Sequence, residues 1–256
     1  MDKLLLLHFL FFIIFLVSLW ILEFFFPLRK KLYPTKKRWF HNFSISIINS
    51  IIIRFLLFIT PISVWIYVWE KWLWLFNILS LNIYLEIIIS IVLLDLIIYT
   101  QHILSHKIKW FWKLHSIHHS DKTLDITTSF RFHTLEIIIS AIIKMFFVFI
   151  LWINPISVII FEIILSSWAI ISHSNLKLPK KLDKILSYLF VTPEFHQVHH
   201  SILKKEHHSN FWFFLSIWDK VFNTYTYYKF KVKEIWLKEN KKDFSLKDLL
   251  FLKINK

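Results

Sequence analysis

The sequence predicts an all-α integral membrane protein. It should form a bundle of about three to four spanning helices plus a helical hairpin, with a histidine-rich di-metal cap on the cytoplasmic side. Three observations lead there. Of 256 residues, 56% are hydrophobic, and the mean hydropathy of +0.55 is too high for a soluble domain of this size. The apolar residues gather into runs long enough to cross a bilayer, separated by basic or turn-forming stretches. The 14 histidines fall largely in short repeated spacings just outside those runs.

Leu4 to Phe26 is the first expected span. A secretory leader would need a basic start and a small-residue cleavage site, and Asp2 and Glu23-Phe24-Phe25-Phe26 fit neither, so an uncleaved span is expected. Arg29, Lys30, Lys31, Lys36, Lys37 and Arg38 follow, the strongest positive-inside signal in the chain and therefore cytoplasmic. Phe43 to Trp69 is the second span, interrupted by Arg54 and Pro61; Arg54 either faces the bundle interior or snorkels along a tilted helix. Trp65, Trp69, Trp72 and Trp74 read as an interfacial aromatic belt. Ile83 to Thr100 is the third span, running back to the cytoplasm and delivering His102 and His106 just past its end. Glu136 to Trp152 and Ile156 to Ile171 flank the turn dipeptide Asn154-Pro155. Each arm looks short for a full span, so a tilted or partly inserted hairpin is expected. Trp212, Phe213, Phe214, Leu215 and Trp218 suggest an amphipathic helix lying at the interface. The chain divides into an N-terminal membrane segment, 1–93, a catalytic segment, 94–228, and a charged tail, 229–256.

Composition also excludes. The net charge is +14, but the basic residues flank apolar spans, where they serve topology and headgroup contacts rather than nucleic acid. The absence of cysteine removes disulfides, zinc–thiolate sites and a cysteine nucleophile. Glycine is absent too, so every tight turn must be made without it.

The histidines carry the chemistry. At about 100° per residue, Asp95, Tyr99, His102 and His106 fall within roughly 60° on one helical face. His115, His118 and His119 form H-x-x-H-H, repeated at His196, His199 and His200. Positions i, i+3 and i+4 are neighbours on a helix surface. A chance H-x-x-H-H is expected about 0.04 times in a chain of this composition, so two copies are a specific signal. With His173, these nine imidazoles suffice for two metals with four or five ligands each, more than one catalytic zinc requires. Imidazole suits zinc, copper, iron and nickel alike, so ligand type does not choose the ion. Asp95, an acid inside an apolar run, reads as a catalytic-site residue accepting an N–H from a ligand histidine, or else as a buried helix–helix contact. Tyr99 either orients a ligand or packs as an aromatic. His133 is a further ligand or a supporting residue; His207 and His208 read as a solvated loop.

These residues resemble the membrane-bound fatty acid hydroxylase/sterol desaturase superfamily. The resemblance rests on Asp95-Tyr99-His102-His106, Trp112-His115-His118-His119, the lone His173, and Pro193-His196-His199-His200. It continues through Arg131-x-His133, Asn210-Phe211 and the run Trp218-Asp219-Lys220-Val221-Phe222-Asn223-Thr224, covering roughly Leu94 to Tyr225. It implies a non-haem di-iron oxygenase that hydroxylates or desaturates a lipid C–H bond. Two Fe ions are implied as cofactors, with zinc possible as isolated. The implied partners are a lipid substrate, the bilayer and a separate electron donor, a ferredoxin or a cytochrome with its reductase. A bacterial inner membrane is the expected location. Where the family has glycine, this chain has Trp212 and Asn223. Two other classes share such donors: a membrane metal-binding or transport protein, and a di-zinc hydrolase. A transporter places its ligands near the midplane of broken helices, whereas these lie outside the spans. Hydrolytic two-metal sites recruit bridging carboxylates, and none is interleaved with these histidines.

Overall fold

A computed structural model describes residues 2–30, 35–56, 81–226, 232, 234–235 and 244–253, with the side chains of 2–9 and 11 excepted. Its long helices are α1 (Asp2–Phe25), α2 (Thr35–Leu56), α3 (Ile83–Lys107), α4 (Lys109–His119), α5 (Thr134–Leu151) and α6 (Pro155–His173). A 3₁₀ turn, Ile126–Phe130, lies between α4 and α5. Short helices follow: α7 (Lys180–Leu186), α8 (Pro193–His199), α9 (Lys204–His207), α10 (Ile217–Val221) and α11 (Leu246–Leu250). Among the described residues there is no β-strand, only isolated bridges.

Three of the described helices, α3, α5 and α6, are long and apolar enough to cross a membrane, and Phe12–Phe25 of α1 is a shorter apolar helix. The expected second span is described only as far as Leu56, where Arg54 lies exposed on α2 rather than inside the bundle; Pro61, Trp65, Trp69, Trp72 and Trp74 lie outside the described residues. The hairpin corrects the sequence reading. Its arms have 18 and 19 residues, about 27–29 Å of helix, close to the hydrocarbon thickness of about 30 Å. Its turn is made without glycine. Trp152 takes the left-handed cap at φ 50°, where glycine is usual, and Asn154 caps α6 by accepting the Ile156 N–H at 2.9 Å, with Pro155 in the first turn.

The spans pack through one core. Leu94 and Ile98 of α3, Val148 of α5, Val158 and Phe161 of α6, and Phe213 meet there. A second core, Tyr99, Val191, Phe195, Phe211 and Trp212, lies nearer the α8 end. This overturns the expected interfacial helix. Phe211, Trp212 and Phe213 are buried in a non-helical stretch, bridged to Phe190 through Leu215, and only Ile217–Val221 is helical. The aromatic richness that suggested a membrane surface serves the interior.

Arg38 is a second correction. Rather than meeting headgroups, its half-buried side chain turns inward, donating to Asp121 at 2.7 Å and to Asp125. Arg131 adds bonds to Asn42, Ser120 and the Ile117 carbonyl at 2.9–3.0 Å, and Asn42 donates to Asp121 at 3.1 Å. This network fastens α2 to the segment after α4. Burial alone would raise the Asp121 carboxyl, but Arg38 and Arg131 outweigh it and hold the group below the usual carboxylate range. A depressed carboxylate contributes stability that is complete above its unfolded pKa, about 3.9, and is lost as pH falls through the lower folded value. Arg38→Met should therefore destabilise the protein by about 3 kcal/mol at neutral pH, by removing a charge partner shared by two buried acids. The deficit should narrow below about pH 4. Unfolding of both proteins in detergent across pH checks this; an equal deficit at all pH values would remove the charge pairing as its cause.

Candidate metal centre

Four elements bring the nine histidines together. α3 supplies His102 and His106 from its last turns. Ile108, extended at φ −94° and ψ 119°, ends α3 and starts α4, which packs back against α3 and presents His115, His118 and His119. α6 ends on His173. α8, capped by Thr192 with Pro193 in its first turn, carries His196 and His199 and leads into His200. All nine are buried, none more than 5% exposed.

They divide into two groups: His102, His106, His115, His119 and His199, then His118, His173, His196 and His200. Within each, the donor nitrogens lie within 4.8 Å of one another. The groups abut, with the His119 and His200 rings stacked at 4.4 Å.

The hydrogen bonds fix which nitrogen faces inward. Nδ1 of His102 lies against the Phe211 carbonyl, that of His199 against Ser209 at 2.9 Å, and that of His173 against Ala169 at 2.6 Å. Nδ1 of His115 meets the Glu136 carboxylate at 2.6 Å. Carbonyls and carboxylates only accept, so each Nδ1 is the protonated nitrogen, and Nε2 of each neutral ring keeps a bare lone pair. Yet the Nε2 atoms confront one another. His102 Nε2 stands 2.9 Å from His115 Nε2 and 3.1 Å from His199 Nε2; His173 Nε2 stands 2.8 Å from His118 Nε2 and 3.0 Å from His196 Nε2. For His102, His115 and His199, whose Nδ1 atoms all carry the proton, bare lone pairs at such distances repel unless a cation lies among them. Two nitrogens bonded to one ion at about 2.1 Å and at right angles are about 3.0 Å apart, which matches. Both ring nitrogens of His106 and of His200 are buried with no hydrogen-bond partner among the described residues, and a metal would take the lone pair of one nitrogen in each ring. Burial, then neighbouring rings, hold His118, His119, His196 and His200 well below the ordinary histidine pKa, so these ligands are neutral at pH 7.

Other residues stand elsewhere than the sequence suggested. Asp95 is buried, but it accepts the Trp218 indole N–H at 3.1 Å rather than an imidazole. It ties α10 to α3. Tyr99 also acts at a remove. Thr224 donates its only hydroxyl hydrogen to Asp219 at 2.6 Å, so Tyr99 O–H donates to Thr224 at 2.6 Å. Asp219 in turn accepts the Phe211 N–H at 3.0 Å, and the Phe211 carbonyl receives His102 Nδ1. The run Trp218 to Thr224 thus fixes the backbone that orients one ligand. Asn223 and Asn210 take the left-handed turns at φ 55° and 50°, whereas Trp212 has no positive φ and packs against Tyr99 with ring centroids 4.8 Å apart. His133 belongs to neither group; it caps α5 by accepting the Leu135 N–H. His207 stacks on Trp112 at 5.6 Å and is only partly exposed.

Three contributors escaped the sequence reading. Glu136 binds His115, Phe132 stacks on His118 at 4.2 Å, and Phe213 stacks on His102 at 4.8 Å. Glu136 carried a signal, an acid in the first turn of an apolar helix; the two phenylalanines carried none. A cavity of about 370 Å³ opens beside His102 and His115 and runs between α3, α5 and α6, with walls that are chiefly apolar.

A family model described as fatty acid hydroxylase matches residues 87–224. The chain belongs to the fatty acid hydroxylase family. That agrees with the resemblance drawn from its motifs. Among curated relatives, an ornithine lipid hydroxylase from Rhizobium tropici is 24% identical over 148 residues, 55% of this chain and 41% of the relative. An alkylglycerol monooxygenase from Caenorhabditis elegans is 29% identical over 136 residues, 51% of this chain and 25% of the relative. The matched stretches are thus less than half the length of either relative. No solved structure matches.

If Glu136 fixes the tautomer of His115, Glu136→Gln should lower metal affinity about 10–100-fold while membrane insertion is unchanged. Metal retained against a graded chelator measures this, and wild-type retention would leave Glu136 as packing. His106→Ala and His200→Ala each remove a ring with no other partner, so each should deplete metal from one group and spare most of the other.

Proposed function

We propose that this protein is an O₂-dependent di-iron hydroxylase that oxidises a C–H bond of a membrane lipid. The observation that carries the reading is the pair of all-imidazole donor groups, with Nε2 atoms 2.8–3.1 Å apart, beside an apolar cavity within a membrane bundle. A hydrolytic di-zinc reading would ask for a carboxylate between the donor groups, and Glu136 instead stands behind a ring, on the outward Nδ1 of His115. His102, His106, His115, His119 and His199 would hold one iron, and His118, His173, His196 and His200 the other. Bound there, iron supplies O₂ activation and C–H oxidation. The balance is R–H + O₂ + 2 e⁻ + 2 H⁺ → R–OH + H₂O, with the electrons from a separate ferredoxin or a cytochrome with its reductase.

The chain's own residues hold the site in order. The Phe211, Ser209 and Ala169 carbonyls and Glu136 keep the Nδ1–H groups fixed, so Nε2 points inward. Phe132 and Phe213 lie over ligand rings and exclude water from them. The cavity walls, among them Ile98, Val158, Leu165 and Phe213, take up a lipid chain beside His102. Desaturation of the same bond is the alternative outcome, and product analysis separates alcohol from alkene.

His118→Ala and His199→Ala should each lower lipid-dependent O₂ uptake by more than about 100-fold, beyond the loss typical of an outer-shell partner. Insertion should persist, because hydrophobicity sets the spans. Metal analysis with lipidomics of cells with and without the protein tests the reading; zinc-only protein with no lipid change and no O₂ uptake would end it. For sidedness, we place the histidines with the Arg29–Arg38 loop in the cytoplasm. Because the chain has no cysteine, Lys113→Cys gives a unique reporter at an exposed site on α4. An impermeant thiol reagent applied to intact cells should miss it; labelling as fast as an external control would invert the topology.

A further inference from the structure

Lys144 of α5 and Glu162 of α6 form an ion pair at 2.5 Å, and both line the cavity. Each sits near the middle of a helix that qualifies as a membrane span. Charges at such depth are costly and call for a role. Lys144 lies ten residues after Thr134 and Glu162 eleven before His173, so the pair stands about 15 Å from the histidine end of both helices. The cavity wall on α5 ends at Lys144. Beyond Glu162 on α6, only Val158 lines it, and Val158 is packed into the core with Leu94, Val148 and Phe161. Laterally, the Glu162 side chain is 39% exposed and that of Lys144 15%, so the pair stands between the cavity and the outer surface of the bundle.

We propose that the Lys144–Glu162 pair is the chain-length stop of the lipid cavity. This rests on the reading of the cavity as an acyl or alkyl site. The tail of the substrate runs along the Ala141–Lys144 wall from the histidines inward and ends at the pair. Another methylene would have to pass between two charges that hold each other or leave through the gap they close. A distance of about 15 Å along the helices admits roughly twelve carbon–carbon bonds beyond the carbon at the metals. The two charges cancel, so the stop adds no net charge to the span.

Binding decides it, independently of turnover. Purified, delipidated, metal-loaded protein is titrated with a homologous series of saturated 1-alkylglycerols, and affinity is read by thermal stabilisation. Each buried methylene should tighten binding about fourfold until the tail reaches the pair, after which affinity should level off. Lys144→Glu/Glu162→Lys, which rebuilds the pair in reverse, should level off at the same length. Lys144→Ala/Glu162→Ala should continue to gain past it. A wild-type series without a break, or a break at the same length in the double alanine variant with metal content intact, overturns the proposal. If the double alanine variant loses its metal, Ala141→Phe decides instead. It leaves the pair in place and narrows the wall about one turn nearer the histidines, so the break should move to chains shorter by about three or four carbons. An unmoved break overturns the stop. Should lipid oxidation never be found while these breaks behave as stated, the hydroxylase reading fails and the stop survives.

Discussion

Imidazole nitrogens with bare lone pairs do not tolerate each other at the 2.9 and 3.1 Å that separate His102 Nε2 from His115 and His199 without a cation, and the rest of this structure is arranged to hold them there. The restraint is applied from outside the cluster. For His102, His199, His173 and His115 the inward Nε2 is secured by what the ring's Nδ1 does, held in turn by the Phe211, Ser209 and Ala169 carbonyls and the Glu136 carboxylate. Those acceptors come from the segment at 209–211 and from helices α5 and α6, so the ligand geometry depends on how the whole bundle packs.

The tie extends further in two directions. Toward α10, Asp219 grips the Phe211 backbone, Thr224 and Tyr99 complete the chain to α3, and Asp95 anchors Trp218 to the same helix. Toward the N-terminus, Arg38 and Arg131 lock α2 onto the segment after α4 through Asp121, Asp125 and Asn42, and Glu23 of α1 accepts the Ile126 and Asn175 N–H groups. Buried polar groups this numerous are stable only when satisfied together.

The absence of glycine shows what a fold can substitute. Asn210 and Asn223 enter left-handed backbone with side chains suited to it, and Asn210 also uses its amide, accepting the Thr226 N–H at 2.8 Å. Trp152 does so as a bulky residue, at a strain cost of order 1–3 kcal/mol that the buried hairpin around it must offset. At Trp212 no left-handed turn is required; an indole occupies a well-filled core between Tyr99 and Trp218.

By itself the sequence determined the helical membrane class, the family and the gathering of nine histidines, because hydropathy and i, i+3, i+4 spacing are local and survive without a partner. It also determined that a hairpin turns at Asn154-Pro155, since Asn154 caps the second helix and Pro155 opens its first turn by their own chemistry. Tertiary structure alone decided the rest. Which five histidines stand apart from which four depends on how α4 and α8 meet α3 and α6. That Arg38 turns inward to ion pairs, that Asp95 holds an indole and that Trp212 lies in a core each depend on a partner distant in sequence. Charge and aromaticity state only what a side chain can satisfy; packing chooses the partner.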